Sequence, residues 1–63
     1  MHGIELLNAV KKGTFSVAPS VVVAHGNGRM TIHNAKTLCL IAGKEVVSFH
    51  VNSLNAIDSI VLQ

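Results

Sequence analysis

The chain has 63 residues, 49 % of them hydrophobic, 13 % charged and 3 % aromatic, with a formal net charge of +2. That length allows one domain, 1–63, with little interior of its own, and the composition excludes an intrinsically disordered chain. The most apolar run, 17–24, is interrupted by Pro19 and Ser20 and falls far short of the roughly 20 residues a membrane-spanning helix needs.

The one cysteine, Cys39, cannot form an internal disulfide. No basic segment precedes an apolar run at the N-terminus, so a signal peptide is not expected and a cytoplasmic location is. A small viral or mobile-element protein fits equally well. A chain this short has more apolar side chains than it can hide alone. Burial between copies, as a homo-oligomer, is therefore expected.

Residues 4–12 read as one short helix. Ile4, Leu7 and Val10 recur at a spacing of three, and Leu6 and Ala9 widen the stripe. Glu5 in the first turn and Lys11 and Lys12 in the last suit the helix dipole, and Gly13 follows as a C-terminal stop.

From Thr14 the period changes to two, and 14–63 reads as antiparallel β-structure. Phe15, Val17, Val21 and Val23 share one parity, and Pro19 marks an edge, a bulge or a break. Asn27-Gly28 reads as a two-residue hairpin turn, which sets Val23 against Ile32 and Val22 against His33. Asn34-Ala35-Lys36 reads as a second turn, and Gly43-Lys44 as a third of type II′, with strands at 37–42 and 46–51.

These registers put Val21, Val23, Met30, Ile32, Leu38, Leu40, Ala42, Val47, Phe49 and Val51 on one apolar face. The other face then carries Val22, Ala24, Thr31, His33, Thr37, Cys39, Ile41, Val46, Ser48 and His50. It holds none of the chain's charges, so cover by a second layer or another subunit is expected. Residues 52–55 read as a loop or a single 3₁₀ turn and 56–62 as a final strand, in the register that sets Asp58 beside His50. The alternative would bury an unpaired carboxylate.

The expected fold class is mainly β (α+β): one N-terminal helix, then about five antiparallel strands in a meander or small barrel. From Leu6-Leu7-Asn8-Ala9-Val10 to Ala56-Ile57-Asp58-Ser59-Ile60-Val61, this order resembles the Sm-like fold, including bacterial RNA chaperones of the Hfq type. The resemblance implies rings formed by edge-strand pairing, with RNA bound at the pore and faces.

Candidate binding residues follow from charge and register. Lys11, Lys12, Arg29, Lys36 and Lys44 fall at helix ends and turns, where an assembled surface would gather them toward nucleic acid. His33, Thr37, Cys39, Ile41, Val46 and His50 form a candidate ligand or interface cluster on the second face. His33, Cys39 and His50 are plausible zinc ligands by type, but no ligand-spacing motif accompanies them, and a shared polar cluster is the plainer reading. No catalytic residue, metal ligand or cofactor is expected. The leading expectation is a regulatory RNA-binding homo-oligomer. The alternative is an interaction or inhibitor protein that occupies a partner protein or sequesters a small ligand between subunits.

Overall fold

The computed structural model describes residues 1–63 as a small α+β fold. A helix α1 (Gly3–Lys11) is followed by β1 (Ser16–Ala24), β2 (Met30–His33), a 3₁₀ turn (Leu38–Ile41), β3 (Val46–Val51) and β4 (Ala56–Leu62). The sheet order is β2-β1-β4-β3, with the central pair β1 and β4 parallel and both outer pairs antiparallel. Two hairpins therefore lie side by side, joined along their middle strands.

The expected meander and Sm-like barrel are not what forms. The sheet has four strands and is open, with β2 and β3 as its two edges. The third expected strand, 37–42, is largely the 3₁₀ turn. The cause is local. The Asn34 carboxamide oxygen accepts the N–H groups of Lys36 and Thr37, and its carbonyl accepts that of Leu38. Asn34 thus acts as a helix-type cap rather than as the corner of a hairpin. Leu38 and Ile41, three residues apart, then face the same way and are both buried, as a three-residue period requires.

The β1–β2 register also differs by one residue from the expected one. His25 N–H donates to the Arg29 carbonyl and Gly28 N–H to that of His25, which makes a three-residue loop. Gly28 takes φ +86°, the left-handed bulge position of such loops. Val22 accordingly pairs with Ile32 and Val23 with Thr31. One residue of slip moves Met30 and Ile32 off the core face and Thr31 and His33 onto it.

β1 takes up extra residues between Val17 and Val22, where its register against β4 shifts, and Pro19 sits in that bulge. A second irregularity between Val46 and Ser48 turns Val46 into the core and Val47 out to solvent.

The core lies between the sheet and the layer made by α1 and the 3₁₀ turn. Leu6, Val21, Val23, Leu38, Ile41, Val46, Ile57, Ile60 and Leu62 form it. Leu7, Val10, Val17 and Val51 flank it, as do Phe15 and Phe49, whose rings meet edge to face at 5.4 Å.

The helix is anchored at its start. Glu5 Oε1 accepts the His2 N–H at 2.9 Å, and Gly3 N–H donates to the Lys44 carbonyl at 2.8 Å. The loop before β4 is held by Asn52, whose side-chain oxygen accepts the N–H groups of Leu54 and Ala56. Asn55 adopts φ 60°, a conformation Asn tolerates better than most residues.

The Met1 ammonium binds Glu45 Oε2 at 2.8 Å and ties the chain start to the lead-in of β3. That contact, chiefly its hydrogen bond, raises the ammonium pKa above the ordinary value and lowers that of Glu45. The depressed Glu45 adds stability above the usual carboxylate range, lost as pH falls through its folded value. The raised ammonium adds stability below the usual amine range, lost as pH rises through its folded value. Glu45→Gln should therefore lower the melting temperature most near about pH 6 and leave it unchanged at strongly acid or alkaline pH. Melting curves across pH check this.

Candidate binding surfaces

The register builds the solvent face of the sheet as two transverse rows. Met30, Ala24, Val61 and Ser48 make one, and Ile32, Val22, Ser59 and His50 the other. The parallel row between them, Thr31, Val23, Ile60 and Phe49, points into the core. No Lys, Arg or Glu stands in the two outer rows. Met30 is 64 % exposed, Ile32 66 % and Val61 40 %. At its β3 end this face carries one polar contact, His50 Nδ1 to Asp58 Oδ1 at 2.8 Å, the contact expected from burial cost, although the strand partner of His50 is Ser59 and Asp58 is the extra residue where the register shifts.

The remaining candidate cluster does not assemble. His33 and His50 stand on opposite edge strands and opposite sheet faces, about 14 Å apart by strand spacing. Thr37 is committed to Asn34, donating to its side chain and accepting its N–H. Cys39 is exposed on the 3₁₀ turn, its thiol directed at the Lys36 carbonyl. Ile41 and Val46, expected at an interface, are core residues. The turn at Asn34 and the irregularity after Val46 account for both differences. No group of three or more His, Cys, Asp or Glu residues is placed to hold a metal ion.

A polar relay that the sequence reading missed lies along β2. Thr31 Oγ1 is 2.7 Å from His25 Nε2 and 2.8 Å from His33 Nε2. One hydroxyl proton serves two imidazoles, so Thr31 donates to one ring and accepts from the other. His33 Nδ1 is buried and unpartnered. The signal available was the hairpin register. With a three-residue loop, Thr31 and His33 share a face and His25 stands at the neck.

All five basic residues are exposed. Each of the three carboxylates is engaged elsewhere: Glu5 at the helix start, Glu45 at the Met1 ammonium and Asp58 at His50. No Lys or Arg therefore has an ion-pair partner.

The basic residues divide into two groups. Lys44 lines a polar hollow of about 380 Å³ with His25, Gly26, Asn27 and Gln63, next to Arg29 at the hairpin tip. Lys11 lines an apolar groove of about 320 Å³ between α1 and the 3₁₀ turn, where Ala35 precedes Lys36. Lys12 follows at the helix end. The length of α1, about 13 Å, separates the groups, because the helix starts against Lys44 and ends at Lys11.

No helix is long and apolar enough to cross a membrane. The chain matches no protein-family model, no curated protein and no solved structure.

Proposed function

We propose that this chain is a small, non-catalytic, self-associating binding module whose ligand is an anionic polymer, with single-stranded RNA the first to test. The observation that carries the reading is the set of five exposed, unpaired cations, Lys11, Lys12, Arg29, Lys36 and Lys44, on a chain whose three acids are all internally engaged. Unpaired surface cations gain most from phosphate, because binding releases the polymer's condensed counterions. Two groups about 13 Å apart suit an extended strand better than a compact anion. Self-association would multiply both groups around one assembly.

Binding of a labelled RNA oligonucleotide should weaken steeply with salt. Lys11→Glu and Arg29→Glu should each reduce affinity about tenfold at low salt without altering the circular dichroism spectrum. No binding at low salt, or binding indifferent to salt, would reject the reading.

The second reading is a module that occupies a partner protein. It is favoured by the uncharged, exposed rows around Ile32 and Val61. Salt-independent capture of one protein, lost on Ile32→Lys, would replace the first reading with this one.

A further inference from the structure

We infer that the open face of the sheet is covered by a second copy of this chain, packed face to face about a two-fold axis. The inference rests on the self-association reading above and assigns the surface responsible.

A sheet with one layer of cover needs polar residues on its other side. Here the uncovered side presents Met30, Ile32, Val22, Ala24 and Val61 in adjoining positions across three of the four strands, β2, β1 and β4. Val47, turned outward by the irregularity in β3, extends the patch along that edge. The remaining positions in the rows are Ser48, Ser59 and His50, which are short or already bonded. None of them carries an unpaired charge.

Charge favours a second copy over other occupants. All five cations belong to the helix layer, the hairpin tip or the turns, outside both rows. Two chains of charge +2 can therefore meet on this face without bringing Lys or Arg into opposition. A nucleic acid or an acidic lipid surface would find no cation on it.

Area points the same way. Four strands at about 4.8 Å and six residues at about 3.3 Å give a face of roughly 19 by 20 Å. With side-chain relief, two such faces bury on the order of 1,200 Å², the lower bound for a specific interface. The sheets would stack about 10 Å apart, as in a β-sandwich. The face maps onto itself, as a two-fold contact requires.

Sedimentation of the nuclease-treated full chain over a range of concentrations tests the assignment. A dimer is expected whose affinity holds or rises with salt. Ile32→Lys and Val61→Lys place two cations per dimer in the contact and should each weaken association at least about 100-fold. Both positions are exposed, so an unchanged melting profile of the diluted variant verifies the fold. As a control, Leu40→Lys on the opposite layer should leave the dimer intact.

A wild-type chain that stays monomeric at every concentration would overturn both the self-association reading and this inference. A dimer that resists both face substitutions but dissociates with Leu40→Lys would overturn this inference alone.

Discussion

Replacing Gly3 by Ala should remove a large share of the protein's stability. Helix propensity alone does not oppose the change, because Ala is a better helix former than Gly. The tertiary contact does. A Cβ at residue 3 would stand 1.9 Å from the Ile41 carbonyl oxygen and 2.7 Å from its carbon, and both are backbone atoms. Neither can rotate away. The helix start would have to lift, breaking the bonds from Gly3 N–H to the Lys44 carbonyl and from Ile4 N–H to that of Ala42.

A cost of about 3–5 kcal/mol is expected. A domain of this length has roughly 3–9 kcal/mol in all. Urea denaturation followed by circular dichroism measures the loss. A variant as stable as the wild type would show that α1 is not seated on the 3₁₀ turn.

The second large effect is a contrast between neighbours. Ile41→Asp should abolish folding, whereas Leu40→Asp should change stability by less than about 0.5 kcal/mol. Ile41 is 2 % exposed and packs in the central cluster, while Leu40 is 68 % exposed. At position 41 the carboxylate would lose apolar burial and enter a core with no polar side chain to receive it, at about 4 kcal/mol or more. At position 40 it would meet water. A strand through 37–42 would give the opposite result, since alternation from Leu38 puts Leu40 inside and Ile41 outside. Two variants and one denaturation experiment thus decide between a 3₁₀ turn and a strand at this place.

That contrast marks where sequence reasoning succeeds and where it stops. The helix was legible because its stripe, its dipole charges and Gly13 are all local; the observed span, Gly3–Lys11, lies one residue from the expected one. The strands around Val21, Phe49 and Ile60 were legible from their alternation and branched side chains. The Asp58–His50 contact followed from the cost of burying a lone carboxylate.

Asn34 misled because Asx chemistry serves hairpin corners and helix caps alike. Asn27-Gly28 misled because two- and three-residue loops accept the same dipeptide, and the extra residue reverses β2. The candidate cluster of His33, Cys39 and His50 depended on both turns, so it dissolved with them.

By itself, the sequence determined an N-terminal helix, a β-rich remainder and a surplus of apolar side chains. Those properties are set by composition and by contacts a few residues apart. Only the tertiary structure decided that β1 and β4 lie parallel at the centre, because their pairing joins residues such as Val23 and Ile60 across most of the chain. That pairing leaves one sheet face bare. The β1–β2 loop, one residue longer than expected, separately moves Ile32 off the core face and Thr31 onto it. No local pattern carries the β1–β4 pairing, since it depends on which strands meet across the sheet.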